Sequence, residues 1–231
     1  MREDYERHTR DHYQSEKIAQ TYHDQFANNR GLKSIRSRLV ANGEKKIIRR
    51  LLQSVPHDNV LDIPAGTGKL APIFKNLGSR VLSCDISADM LSIAQQEYQR
   101  IQYTNVDFQI CDATQLESLR AQKFDVAVCL RLLHRVPPAI RIAILSGLAK
   151  VADNVIVSLG ISSPYHSMRR SVRQFVIGGD TRPIWFSKLD EFTDSIRPHY
   201  TLMAKSNVLP LLSQEIVLLL RSKTNTKKGI Q

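Results

Sequence analysis

A doubly wound α/β sheet of seven strands is the fold this sequence predicts. Its strands are mostly parallel, with a C-terminal antiparallel hairpin, and helices precede the sheet. Three observations predict it. Residues 59–69 read N-V-L-D-I-P-A-G-T-G-K, a short apolar run, then a turn with Gly66 and Gly68, then a helical pattern. Apolar runs and amphipathic stretches alternate beyond that point, the rhythm of strand–helix–strand units with right-handed crossovers. Two extended runs then close the chain, separated by a loop containing Pro210, and read as a hairpin.

The elements follow in order. Residues 1–30 are polar and charged, and Ile18, Tyr22 and Phe26 recur every four positions on one helix face. Residues 34–55 form a long helical stretch, with a break expected near Asn42 and Gly43. Ile47, Ile48, Leu51, Leu52 and Val55 make its apolar stripe, while Lys45, Lys46, Arg49 and Arg50 face out. Pro56 ends it, and Val60, Leu61 and Ile63 form the first strand. Leu70, Ile73, Phe74 and Leu77 give the next helix its buried face. The second strand runs to Asp85, 19 positions after Gly66. Ser87 is placed to cap a helix presenting Met90, Leu91, Ile93 and Ala94. Residues 106–112 form a third strand.

The fourth strand, 124–130, is apolar throughout, as a central parallel strand buried on both faces should be. Pro137 and Pro138 open a helix with Ile140, Ile144, Leu145 and Leu148 inward, and 154–159 is the fifth strand. The pattern lapses over 160–184, a stretch holding Tyr165, His166, Arg169, Arg170 and Arg173. Ser187 then precedes a helix with Leu189, Phe192 and Ile196, for which it is the expected cap. Residues 200–206 and 214–221 are the last strands. The expected organisation is an N-terminal helical cap (1–44), a main domain (45–221) with a lid or substrate insert (160–186), and a disordered polar tail (222–231).

The chemistry gathers at the strand ends. A strand, glycine turn and helix bring bare backbone against a nucleotide-like ligand, because glycine has no Cβ to hold the ligand off. Asp62, Asp85 and Asp112 each stand in or just after the end of a successive strand. Three carboxylates there suit a ligand with hydroxyls and amines lying across those ends.

These residues resemble the class I methyltransferases that use S-adenosylmethionine, and within them the small-molecule, type 11-like enzymes. That family's first motif is acidic-x-Gly-x-Gly-x-Gly. Asp62, Gly66 and Gly68 fill it here, and Pro64 stands where its first glycine would be. The resemblance spans residues 45–221 and implies a Rossmann-like fold and S-adenosylmethionine as cofactor. It implies that Asp85 holds the ribose hydroxyls and that Asp112 and Ala113 lie beside the adenine. Asp62, Pro64 and Ala65 would line the turn, with Ile86 and Met90 against the adenine face. Leu130 and Arg131, after the fourth strand, would border the methionine moiety, and Arg131 could pair with its carboxylate or with an anionic substrate. Tyr22 is the candidate for a capping aromatic contact with the cofactor. His134 is either a general base or a structural histidine. Tyr165, His166, Arg169 and Arg173 are candidates for the acceptor side, since Arg169 and Arg173 share a helix face with Arg170 alongside Met168, Val172 and Phe175.

Composition narrows the rest. At 231 residues, 42% hydrophobic and 24% charged, the chain suits one soluble domain with an appended cap. No apolar run approaches the roughly 18 residues of a membrane span, and residues 1–5 lack the apolar core of a signal peptide, so the expected compartment is the cytoplasm. Cys84, Cys111 and Cys129 have no Cys-x-x-Cys spacing and read as buried thiols, so no metal is expected. The net charge of +11 points to an anionic partner: an acidic small molecule, a membrane surface or nucleic acid. Basic residues spread over solvated helices would give the same total.

A methyl group transferred to an oxygen or carbon nucleophile of a small or lipid-like, anionic acceptor is the expected reaction, with peripheral membrane contact in keeping with the lid. An RNA methyltransferase is the alternative, disfavoured because the loop after the fourth strand lacks the Asn/Asp-Pro-Pro-Tyr type of signature. A methyltransferase-like binding protein without catalysis is another. A nicotinamide-dependent oxidoreductase is a rival because Gly66-x-Gly68-x-x-Ala71 satisfies the dinucleotide fingerprint. Asp62, Asp112-Ala113 and the terminal hairpin stand against it. The sequence is silent on oligomeric state.

Overall fold

The structure is a computed structural model that describes residues 32–161, 185–209 and 213–224, with side chains from Ser37 onward. Helix α1 (Leu32–Gln53) precedes β1 (Asn59–Asp62), α2 (Ala71–Leu77), β2 (Arg80–Asp85), α3 (Ala88–Arg100) and β3 (Val106–Ile110). A single 3₁₀ turn leads into β4 (Phe124–Cys129), α4 (Pro138–Val151) and β5 (Ala152–Gly160). Helix α5 (Leu189–Ile196), β6 (Tyr200–Asn207) and β7 (Glu215–Ser222) complete it.

The strands form one sheet in the order β3-β2-β1-β4-β5-β7-β6. Strand β7 lies between β5 and β6 and runs antiparallel to both. The mostly parallel sheet with a C-terminal antiparallel pair is therefore as the sequence predicts. Strand order reverses between β1 and β4, which pair directly through Leu61 and Ala127. In open α/β sheets the ligand crevice opens at such a switch point, outside the carboxyl ends of the strands.

Alternation along each strand builds two core layers. Leu61, Ala127, Cys129, Val155, Val157, Leu218 and Leu220 face α4 and α5, meeting Ile144, Leu145, Leu148, Phe192 and Ile196. Val60, Val126, Val128, Ile156, Val217 and Leu219 face the other way, meeting Ile48 and Leu52 of α1 and Phe74 of α2. Both faces are covered, which is why β4 and β5 read as continuous apolar runs. Phe74 is fully buried, so Phe74→Ala would cost about 3–5 kcal/mol.

Two local expectations are corrected. Helix α1 is unbroken through Asn42 and Gly43, where it packs against Leu209: a Cβ on Gly43 would stand in ordinary contact, 3.5 Å from the Leu209 Cγ. Ser187 does not cap α5: Lys188 holds that position without a side-chain bond, and the Ser187 hydroxyl is bonded to Arg141 instead. Ser87 does cap α3, accepting from the Met90 amide at 3.3 Å. The three cysteines are buried and free. Among the described residues no group of acids, histidines and cysteines could hold a metal ion, and no helix is long and apolar enough to cross a membrane.

Candidate functional site

The site is built where β1 and β4 part. After Asp62 the chain leaves the sheet, with the Ile63 amide still bonded to the Val128 carbonyl at 3.0 Å and the Ala65 amide to the Cys84 carbonyl at 2.8 Å. Between them lies Pro64, half-buried after a cis peptide bond. Gly66 and Gly68 both have positive φ, 55° and 70°. Their surroundings differ. A Cβ on Gly66 would meet nothing within 4 Å, so its face of the turn is open to a ligand. A Cβ on Gly68 would stand 3.1 Å from the Ala94 Cα, so Gly68 is required by the approach of the turn to α3.

Asp85 ends β2 beneath this turn. Its Oδ2 accepts from the Gly66 amide at 2.8 Å and its Oδ1 from the Ser87 amide at 3.0 Å. Asp62, 2% exposed, has an Oδ2 with no hydrogen-bond partner among the described residues. Burial first, and then the charge of Asp85, hold the Asp62 carboxyl well above the usual carboxylate range. Burial raises Asp85 too, against the opposing amides of Ser87, Gly66 and Ile86. The carboxylate that orders the glycine turn is thus Asp85, while Asp62 is left as a buried acid facing a like charge.

Asp112, beyond β3, spends Oδ1 on the Thr114 amide and hydroxyl, each at 2.8 Å. Ala113 beside it packs partly into the core, Ile86 is half-buried and Met90 buried. Asp62, Pro64, Ala65, Gly66, Asp85, Ile86, Asp112 and Ala113 are therefore assembled at the ends of the three adjacent strands β1, β2 and β3.

Beyond β4 the half-buried Leu130 leads into Arg131, whose backbone is left-handed with φ 58°. Its amide donates to the Ser158 hydroxyl at 2.7 Å. Its guanidinium forks onto Glu44 of α1, with Nε 3.4 Å from Oε1 and Nη2 bonded to Oε2. Glu215, at the start of β7, completes the group. Burial and the charge of Glu44 push it up to about 7, against Arg131. Lys69, at the end of the turn, is lowered to about 8 by burial, Arg131 and Lys45.

His134 lies three residues past Arg131. Its Nδ1 is enclosed and has no partner among the described residues. Burial, then Arg135, Arg131 and Arg141, lower it to about 4, so it is neutral near pH 7. Tyr22, Tyr165, His166, Arg169 and Arg173 lie outside the described residues.

Glu44, Glu215 and Arg141 were missed by the sequence reading. Glu44 precedes two lysines and looks like a surface residue. Arg141 did leave a signal, a lone charge in an otherwise apolar run, and Glu215 stands at the head of one.

Residues 60–154 match the family model described as a methyltransferase domain. Over those residues, which run from β1 into β5, the chain is similar to methyltransferase domains. It is 29% identical over 124 residues to the ubiquinone biosynthesis O-methyltransferase of Albidiferax ferrireducens, covering 53% of this chain and 46% of that protein. It is 30% identical over 79 residues to the protein of that name from Coxiella burnetii, covering 34% of this chain and 33% of the other. The chain thus matches less than half the length of either relative. The domain's fold is that of the magnesium protoporphyrin IX methyltransferase of Synechocystis PCC 6803. The structure of that protein with bound S-adenosylhomocysteine superposes with a TM-score of 0.77 at 21% identity, covering 92% of this chain and 97% of that one. Its structure with S-adenosylmethionine superposes with a TM-score of 0.67 at 20% identity, covering 94% and 93%.

Proposed function

We propose that this protein binds S-adenosylmethionine at the ends of β1, β2 and β3 and transfers its methyl group to an oxygen nucleophile of a small or lipid-like, anionic acceptor. The observation that carries this reading is the pair of buried acids under an open glycine turn. Asp62 has an unpartnered oxygen beside Asp85, and a cation brought to the turn would relieve the repulsion between them. A sulfonium and an ammonium are such cations, so the residues present fit the cofactor. Gly66 offers open backbone beside them. Asp85 would hold the ribose, and Asp112 the adenine amine through the oxygen that Thr114 leaves free.

When bound, S-adenosylmethionine supplies a methyl group already activated for in-line attack. The protein's task is then orientation, which can supply on the order of 7–11 kcal/mol, against roughly 10²–10⁴-fold from a general base. His134, Arg131 and Arg135 stand on the loop after β4 and would border the acceptor. A neutral His134 would accept a hydrogen bond from an acceptor hydroxyl, and Arg135 would favour an anion, while the charge of Arg131 is already met by Glu44. An oxygen nucleophile is supported by the O-methyltransferases among the relatives, and a carbon nucleophile fits the same geometry.

Tyr165, His166, Arg169 and Arg173 belong to the connection that leaves the sheet at Ile161 and returns at Trp185. Those two flanks lie close together, since Ile161 pairs with Ser187. We carry the four residues as acceptor-side candidates. The testing experiment incubates the protein with methyl-labelled cofactor and a cell extract and identifies the labelled product. A labelled acidic small molecule or lipid is expected. Label in RNA alone would replace this acceptor with the runner-up, for which the charge of +11 speaks.

A further inference from the structure

Arg141 is the least expected charge in the fold. It lies one turn into α4, among Ile140, Ile142, Ile144 and Leu145, and is 3% exposed. Its Nε donates to the Leu133 carbonyl at 2.9 Å and its Nη2 to the Trp185 carbonyl at 3.0 Å, while Nη1 donates to the Ser187 hydroxyl. All three acceptors are neutral. A buried guanidinium costs several kcal/mol unless its donors are met, so its retention calls for a reason.

The acceptors supply one. Leu133 precedes His134, and Trp185 and Ser187 belong to the segment that crosses over the end of β5. The two segments are also joined directly, the Trp185 amide donating to the His134 carbonyl at 2.9 Å. Gly160 lies beneath both: a Cβ there would come within 3.1 Å of the Phe186 ring and 3.4 Å of the His134 Cβ. His134 is therefore gripped between the end of β5, Phe186 and a backbone held from behind by one side chain.

We infer that Arg141 is a positioning residue, a three-pronged clamp from α4 that fixes where His134 stands at the acceptor side of the site. The fork matters as well as the charge. Lysine could reach one acceptor but not three held in different directions. The charge then acts on the imidazole. The charged groups that face His134 among the described residues are Arg135 and Arg131 from its own loop and Arg141 from α4, and all three oppose its protonation.

This inference rests on the reading of the loop after β4 as acceptor-side, and its test is independent of methyl transfer. The imidazoles are followed by NMR in protein with labelled histidine, His134 being assigned from the His134→Gln spectrum. Wild-type His134 should titrate far below an ordinary histidine. Arg141→Gln should raise that titration by a few tenths of a pH unit, since a like charge is removed while burial, Arg135 and Arg131 still oppose protonation. Arg141→Lys should leave it near wild type, yet both variants should lose the Overhauser contact between His134 and Phe186. Ser187→Ala removes one acceptor without touching a charge, so it reports on the clamp even where Arg141→Gln fails to fold. It should speed hydrogen exchange at the Trp185 amide by about tenfold. Wild-type titration and contacts in the Arg141 variants, or wild-type exchange in Ser187→Ala, would overturn the clamp. S-adenosylhomocysteine should bind all variants within about threefold of wild type. No binding to the wild-type protein would sink the proposed function and leave the NMR result to decide the clamp.

Discussion

The Gly66 amide donates to Asp85 Oδ2 at 2.8 Å, so the acid that ends β2 braces the turn that follows β1. Turn and carboxylate are one unit, which gives Asp85 two tasks at once. Asp85→Ala should both destabilise the unliganded protein and weaken S-adenosylhomocysteine, each by about 1–3 kcal/mol, because two backbone donors lose their acceptor. Thermal unfolding and calorimetry on the same variant check this, and a loss in only one of them would separate the tasks.

Asp62 gives a pH dependence of stated sign. Its folded pKa is raised above 3.8 by burial and by Asp85, so between those two values the folded state holds a proton that the unfolded chain has lost. Its contribution to stability is full below about pH 4 and is lost as pH rises through the folded pKa. Asp62→Asn should flatten the decline in unliganded stability on that limb and raise stability at neutral pH, while weakening cofactor binding. Denaturant midpoints across pH measure it.

Binding should also release a proton from Asp62 wherever the acid is still protonated, because the incoming cation favours the carboxylate. Calorimetry of S-adenosylmethionine in two buffers of different ionisation enthalpy should show that release, and it should disappear in Asp62→Asn. Equal apparent enthalpies in both buffers would mean that the acid does not meet the cation.

The two glycines of the turn should respond differently. Gly68→Ala pushes a Cβ against the α3 backbone at Ala94, so the fold itself should lose on the order of 1–3 kcal/mol. Gly66→Ala meets open space and carries only the cost of positive φ, about 1 kcal/mol, with the larger loss in cofactor affinity. Unfolding midpoints compared with dissociation constants distinguish the two patterns.

Much of this was legible in the sequence because parallel sheets write themselves locally. Buried β4 and β5 show as apolar runs, Gly66 and Gly68 mark a positive-φ turn, and Asp62, Asp85 and Asp112 end successive strands. What the residues do to one another was not legible. That Asp85 rather than Asp62 holds the turn amide depends on register between β1 and β2, and Gly68 answers to a helix some 26 positions later. Arg131 looked free for an anion, yet it is forked onto Glu44, 87 residues earlier in the chain. The Ser187 hydroxyl was read as a cap because caps are local, but Arg141 takes it from across the fold.

The central claim is that the two acids and the open turn receive S-adenosylmethionine. Titration calorimetry of the wild-type protein with S-adenosylhomocysteine, beside a nicotinamide dinucleotide at the same concentration, tests it most directly. Saturable one-site binding of S-adenosylhomocysteine, weakened about five- to 150-fold in Asp85→Ala, and no heat from the dinucleotide is the result expected. Tight binding of the dinucleotide with no response to S-adenosylhomocysteine would contradict it.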